Sequence, residues 1–357
     1  MAKKIHVGNH LIGENEPCYI IAEAGVNHNG DTDLAKSLID VAVKSGADAI
    51  KFQTFKTESV VTLCAEKAAY QKKSTGCDES QYELIRKLEL SYDVFLELKH
   101  YTEEKKIDFL STPFDIESVD FLDEIGISAF KIPSGEINNF ALLKYISKKH
   151  KPIILSTGMS TLGEVEQAIK VIIGEGNTEI ILLHCVTNYP ADVVDVNLRA
   201  MDTMRHAFGY PVGYSDHTLG IVIPIAAVSC GACILEKHFT LDKDLPGPDH
   251  KASLEPEELD IMIRSIREVE MAMGTGIKIP SLSEIENKKT IRRSIVAAKN
   301  IPKNTIITSD YVTSKRPGTG ISPELLSTII GTRTKRKIKR DEILTWNDVI
   351  RVDHIGE

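Results

Sequence analysis

Residues 18–54 read CYIIAEAGVNHNGDTDLAKSLIDVAVKSGADAIKFQT. Two apolar, β-branched runs, 18–24 and 49–54, flank a stretch, 32–45, in which Leu34, Leu38, Val41 and Ala42 fall on one helical stripe. Gly46 follows that stripe, where a left-handed helix cap is wanted. Runs this uniformly apolar suit strands buried on both faces, and the helix between them makes the pair parallel. The segment predicts a βαβ unit.

Working outward, the same alternation recurs. Eight strands are predicted, at 18–24, 49–54, 107–112, 129–133, 153–157, 180–185, 211–214 and 233–239, with helical patterns after them such as 257–273. Eight βα units in about 250 residues is the size of an α/β TIM (β/α)8 barrel. The competitor, a doubly wound open sheet, would favour a Gly-rich phosphate loop after the first strand. Ala24-Gly-Val-Asn-His-Asn-Gly30 is not G-x-G-x-x-G.

The chain of 357 residues has room for two or three domains, and with 42% hydrophobic and 26% charged residues it is neither disordered nor a small disulfide scaffold. The longest apolar stretch, 219–235, is broken by Gly220, Pro224 and Gly231, so no membrane span is expected. The opening Met-Ala-Lys-Lys-Ile is not followed by an apolar signal core, and a cytoplasmic location is expected. Six cysteines then read as reduced thiols, with Cys230-Gly-Ala-Cys233 taken as small buried hydrophobes rather than a redox or zinc motif.

The net charge of −8 hides an asymmetry: residues 290–357 hold 13 Lys or Arg against 7 Asp or Glu. After Gly276 the pattern changes to a polar stretch and then short strand-like pieces at 294–298, 305–307 and 315–316. The expected organisation is a barrel over 1–276, a linker over 277–289 and a small basic domain over 290–357. The basic run 333–340 could bind nucleic acid, but it lacks interleaved aromatics, and a solvated face or inter-subunit contact explains it better.

In a barrel the active site forms where strands end. Polar residues gather there: Glu23, Lys51, Gln53, Ser111, Thr112, Lys131, Ser134, Glu136, Ser156, Tyr189, Asp216, His217, Glu236 and His238. His217 and His238 close adjacent strands and could hold an open-site divalent ion, Mn²⁺ or Mg²⁺, or could simply be hydrogen-bonding residues. Lys51 and Lys131 suit an anion cradle completed by Ser134 and Ser156, a Schiff-base lysine as in an aldolase, or ion pairs with Glu23 or Glu136.

Ordered motifs then carry a resemblance. They include Ile-Ala-Glu-Ala-Gly-Val-Asn-His-Asn-Gly (21–30), Lys-Phe-Gln-Thr-Phe (51–55), Ser-Thr-Pro-Phe (111–114), Lys-Ile-Pro-Ser-Gly-Glu (131–136) and Leu-Ser-Thr-Gly-Met (155–159). Gly-Tyr-Ser-Asp-His-Thr (213–218), Glu-Lys-His-Phe-Thr (236–240), Pro-Gly-Pro-Asp (246–249) and Lys-Arg-Pro-Gly-Thr-Gly (315–320) follow. Together they resemble the sialic acid synthase family over nearly the whole chain from Cys18 onward. The resemblance implies a barrel with a C-terminal antifreeze-like (SAF) domain that condenses phosphoenolpyruvate with an N-acetylated mannose-type sugar to a nonulosonic acid. It implies His217 and His238 as metal ligands, and Lys51, Gln53, Thr112, Lys131, Ser134 and Ser156 around phosphoenolpyruvate. Tyr189, Asp249 and Arg316 would then serve the sugar, with Arg316 supplied by the SAF domain of a domain-swapped homodimer. Glu23 and Glu136 are the proton-transfer candidates.

Within that family, Phe52 and Phe55 stand where the N-acetylneuraminate branch tends to have histidines, and apolar rings suit a 6-deoxy sugar. With His184-Cys-Val-Thr-Asn-Tyr-Pro190, Leu245-Pro-Gly-Pro-Asp-His250 and Thr345-Trp-Asn-Asp-Val349, the chain looks more like legionaminic acid synthases. These use 2,4-diacetamido-2,4,6-trideoxymannose. N-acetylneuraminate and pseudaminate synthases are the alternatives.

Overall fold

The computed structural model describes residues 3–67, 72 and 79–351. It forms two compact units, Met1–Gly274 and Thr275–Glu357. The first opens with an antiparallel hairpin, β1 (Ile5–Val7) and β2 (His10–Ile12). Eight strands follow: β3 (Tyr19–Gly25), β4 (Ala49–Thr54), β5 (Asp108–Pro113), β6 (Phe130–Ile132), β7 (Ile153–Ser156), β8 (Ile180–Cys185), β9 (Val212–Asp216) and β10 (Ile234–His238). They make one parallel sheet ordered β5-β4-β3-β10-β9-β8-β7-β6, and β5 packs beside β6 without a ladder, so the sheet is a TIM-like near-barrel. Among the described residues no helix is long and apolar enough to cross a membrane.

The first crossover helix, Thr32–Ser45, shows why these segments fold as they do. Asp31 caps it by accepting from the backbone N–H groups of Asp33 and Leu34, and Gly46 ends it at φ 79°. Its buried stripe of Ala35, Leu38, Ile39 and Ala42 packs on the outer face of the sheet.

The two-residue period of the strands separates two cores. Ile20, Ala22, Ile50, Phe52, Phe109, Leu155, Leu182, Tyr214 and Leu235 face outward to the helices. Tyr19, Ile21, Ala49, Leu110, Ala129, Ile154, Ile181, Leu183 and Ile234 face inward, and Ile5, Val7 and Ile12 of the hairpin close the N-terminal end of that same inner cluster. Continuing each inward register to the C-terminal end reaches polar residues: Glu23, Lys51, Gln53, Thr112, Lys131, Ser156, Ser215, Glu236 and His238. One barrel therefore has an apolar floor and a polar mouth.

Phe52 corrects one expectation. Its ring is wholly buried on the outward face, stacked on Phe109 at 5.9 Å, because position 52 has the opposite parity to Lys51 and Gln53. It cannot touch a sugar. Phe55 is also buried, against Phe114 in a satellite cluster with Val26, Leu84 and Leu88. Cysteine placement is mixed: Cys18, Cys185 and Cys233 are buried, Cys64 and Cys230 are exposed, and Cys77 lies outside the described residues. Cys230 thus departs from the buried pair expected.

The second unit contains a helix, Leu282–Ile291, that starts within the stretch expected as linker and runs two residues past it, because Ser281 and Glu284 form a reciprocal capping box there. No residue of that helix is buried. Beyond it, β11 (Ser294–Ala297) pairs antiparallel with β12 (Val312–Lys315), and β13 (Arg333–Thr334) with β14 (Val349–Ile350), over a core including Ile295, Ile301, Ile307, Ile338 and Leu344.

Candidate active site

The mouth is assembled from the last inward residue of nearly every strand, and a β-bulge refines it. The β3–β4 register slips between Glu23 and Gly25, and Gly25 sits at φ 54°. A Cβ there would lie 3.2 Å from Glu23 Oε1, 3.3 Å from Gln53 Nε2 and 3.4 Å from His238 Cε1, so glycine lets these three side chains close in.

At the centre lies a buried quartet of charges. Lys51 Nζ is 2.6 Å from Glu23 Oε2 and 3.7 Å from Glu236 Oε2, and it donates to Thr112 Oγ1 at 3.1 Å. Lys131 Nζ is 3.5 Å from Glu236 Oε1, which also accepts from Ser215 Oγ at 2.9 Å. Burial pushes the Glu23 carboxyl up to about 7, although Lys51 pulls it down. Burial would raise Glu236 too, but Lys131 and Lys51 outweigh it and hold that carboxyl at about 2. Burial also opposes the charge on both lysines; for Lys51 the carboxylates Glu23 and Glu236 win and raise it, whereas Lys131 stays lowered. Two carboxyls a few ångströms apart are driven to opposite behaviours, the arrangement in which one serves as proton carrier and the other as fixed charge. With Glu23 protonated the quartet carries excess positive charge, which suits an anion.

Beside it stand the two imidazoles, with ring centroids 5.5 Å apart. His217 Nδ1–H donates to the Val186 carbonyl at 2.6 Å, which leaves the lone pair on Nε2. His238 Nδ1 is buried without a partner. Burial lowers both pKa values, His238 most, so both rings are neutral as metal ligation requires. Among the described residues no set of three His, Cys, Asp or Glu converges on one point. A divalent ion would be held by two imidazoles with the remaining positions open to water or substrate oxygens, and the donors fit that open arrangement.

Tyr189 lies against His217 with ring centroids 4.2 Å apart and the planes tilted by 40°, and meets His238 edge-on at 5.7 Å. Ser134 follows β6 in a short turn, where its Oγ accepts from Gly158 N–H at 2.9 Å. Ser156 Oγ and Thr187 Oγ1 are buried with no partner. All of these line one cavity of about 110 Å³, smaller than the roughly 300–1,000 Å³ that drug-sized ligands occupy, so its floor seats a small anion. A roomier cavity of about 580 Å³ lies at the N-terminal end, lined in part by Cys18, Cys233, Arg205 and Glu270. It gathers no comparable set of charges and hydroxyls.

Two expected residues of this unit, Glu136 and Asp249, are not among those lining this cavity. Glu136 is partly exposed, its carboxylate accepting from Asn139 Nδ2 at 2.7 Å, because position 136 is in the turn beyond β6. Asp249 is buried on the loop after β10, where burial raises its carboxyl to about 6. That loop is tied to the first βα loop by Asn27, whose Nδ2 donates to the Phe239 carbonyl at 2.8 Å and to Ser253 Oγ at 3.0 Å. Arg316 is exposed just after β12 of the second unit. Conversely, Ser215, Thr187 and Cys185 line the cavity although the sequence reading named none of them there, and Glu236, placed at the mouth without a role, stands at its centre. Strand parity would have found two of the three: Ser215 shares its face with His217, and Cys185 with Leu183.

Comparison with known proteins places the chain among relatives of one family. Residues 38–278 match the NeuB family and residues 292–350 the SAF domain. The N,N'-diacetyllegionaminic acid synthase of Campylobacter jejuni is 52% identical over 91% of this chain and 98% of its own length. That of Legionella pneumophila is 46% identical over 94% and 96%. The crystal structure of N-acetylneuraminic acid (sialic acid) synthetase from Leptospira borgpetersenii, in complex with citrate, superposes with a TM-score of 0.71 at 38% identity, covering 80% of this chain and 95% of that one.

Proposed function

We propose, from the premise that this chain belongs to the NeuB family, that it condenses phosphoenolpyruvate with an N-acetylated mannose-type sugar to give a nonulosonic acid and phosphate. The observation that carries this reading is the buried charge quartet beside two neutral imidazoles and unpartnered hydroxyls at the barrel mouth. The sugar we propose is 2,4-diacetamido-2,4,6-trideoxymannose, giving N,N'-diacetyllegionaminate; the names and identities of the two synthases above support it.

The reaction joins C3 of phosphoenolpyruvate to the aldehyde carbon of the open-chain sugar, adds water at C2 and expels phosphate. Lys51 and Lys131 would bind the phosphate and carboxylate oxygens, with Ser134 and Ser156 donating to the same groups. Glu236 stays ionised and keeps both ammonium groups oriented. Glu23, with its carboxyl near 7, can release and recover a proton at neutral pH beside Lys51. Glu136, whose carboxylate accepts from Asn139 in the turn after β6, is the second candidate for proton transfer. A Mn²⁺ or Mg²⁺ ion held by His217 and His238 would supply Lewis-acid polarisation of the aldehyde oxygen. Tyr189, Asp249 and Arg316 would contact the sugar, Arg316 reaching from the SAF domain of a second copy.

Phosphate release from phosphoenolpyruvate should be fastest with 2,4-diacetamido-2,4,6-trideoxymannose and should stop in EDTA. A clear preference for N-acetylmannosamine would shift the assignment to N-acetylneuraminate synthesis. The lowered pKa of Lys131 favours one second reading, imine formation with pyruvate. Covalent trapping of pyruvate by borohydride, unaffected by EDTA, would establish that reading in place of the first.

A further inference from the structure

One side chain of the cradle has no task in the chemistry above. Cys185 ends β8 with its thiol buried in the cavity, 3.1 Å from Ser134 Oγ. We propose that Cys185 is a positioning residue that dictates where the Ser134 hydroxyl hydrogen points, and so makes Ser134 a donor to the anion. The proposal rests on the reading of the cavity as a phosphoenolpyruvate cradle.

A serine hydroxyl has one hydrogen and two lone pairs. Gly158 N–H occupies one lone pair of Ser134 at 2.9 Å. Two arrangements remain for the contact with sulfur. If Ser134 donates to Cys185, its hydrogen is spent on a weak acceptor and a lone pair faces the cavity, where it repels phosphate or carboxylate oxygens. If the Cys185 S–H donates to Ser134, both lone pairs are filled from the protein side and the hydrogen is free for the ligand. An anion whose oxygens only accept selects the second arrangement.

The surroundings reinforce that choice. A Cβ at Gly158 would fall 2.8 Å from Ser134 Oγ, 2.9 Å from Cys185 Sγ and 2.2 Å from Thr187 Oγ1, so glycine is what lets these groups converge over one backbone N–H. Ser156 Oγ and Thr187 Oγ1 have no partner in the protein, and Lys131 Nζ can only donate. With Ser134 turned outward, Ser134, Ser156, Thr187 and Lys131 can each present a hydrogen to the ligand.

The test is a double-mutant cycle on the full-length, Mn²⁺-loaded protein, reading the Kd of phosphoenolpyruvate by calorimetry without sugar. Cys185→Ala should weaken binding about 5–10-fold, because the Ser134 hydroxyl loses the donor that fixes its hydrogen toward the ligand and is left with a buried lone pair unfilled. Cys185→Ser, whose hydroxyl also donates, should stay within about 2-fold of wild type. In a Ser134→Ala background, adding Cys185→Ala should change Kd less than about 2-fold, because the hydroxyl it orients is gone. Equal weakening in both backgrounds would make Cys185 a packing residue and overturn the proposal. So would an unchanged Cys185→Ala, or a Cys185→Ser as weak as Cys185→Ala. Wild-type protein that binds no phosphoenolpyruvate would sink the reading of the cavity itself, an outcome distinct from these.

Discussion

Asp249 is buried on the loop after β10, and burial lifts its carboxyl to about 6. A carboxyl raised above its unfolded value stabilises the fold in its protonated form, below about pH 4, and that contribution is lost as pH rises through 6. Stability measured by urea unfolding should therefore fall by on the order of 3 kcal/mol between those pH values through this group, and Asp249→Asn should flatten that portion of the profile. At the other end of the site, His217→Ala and His238→Ala should each lower phosphate release at least about 100-fold while leaving the melting temperature within a few degrees, because both imidazoles face a cavity rather than the packed core. Unchanged turnover in either variant would remove the metal assignment. Residue types at strand ends were legible from sequence because charged groups inside apolar runs stand out. Which way a side chain faces was not, and Phe52 was misread for that reason: its parity is opposite to that of its neighbours Lys51 and Gln53.

At the scale of elements, β9 and β10 carry a second, outward-facing ion pair between the two histidine-bearing strand ends. Lys237 Nζ is 2.5 Å from Asp216 Oδ2, both fully buried, and Asp216 also accepts from Thr218 Oγ1. Lys237→Met strands Asp216 in a dry interior and should cost about 3–5 kcal/mol in chemical denaturation, whereas Lys237→Met combined with Asp216→Leu should recover much of that loss. An equally unstable double variant would show that the pair serves packing. The eight barrel strands were predictable because each is short, apolar and followed by a helical pattern. The β1–β2 hairpin went unread, although Ile5-His-Val-Gly-Asn-His-Leu-Ile12 alternates around Gly-Asn, since a pair of three-residue strands gives too short a period to weigh. Glu136 was read as a strand-end residue, but β6 ends at Ile132 and position 136 falls in the turn 134–136, where its carboxylate accepts from Asn139.

For the whole molecule, the surplus of basic residues after position 290 gains a use if the SAF domain of one copy serves the barrel of another. Arg316→Ala and Lys131→Ala proteins, each nearly inactive alone, should then regain up to about a quarter of wild-type activity when unfolded together and refolded as mixed dimers. No recovery would place Arg316 in its own subunit's chemistry or outside it. The hairpin beneath the barrel has a consequence for traffic. Among the described residues, Ile5, Val7 and Ile12 stop the bottom of the inner cluster, so the cradle opens toward the C-terminal mouth and is closed at the floor. If phosphoenolpyruvate occupies the floor as proposed, what goes in first comes out last: it would be seated before the sugar, and phosphate would leave after the nine-carbon acid. Steady-state kinetics should accordingly show compulsory order, with phosphate competing against phosphoenolpyruvate and not against the sugar.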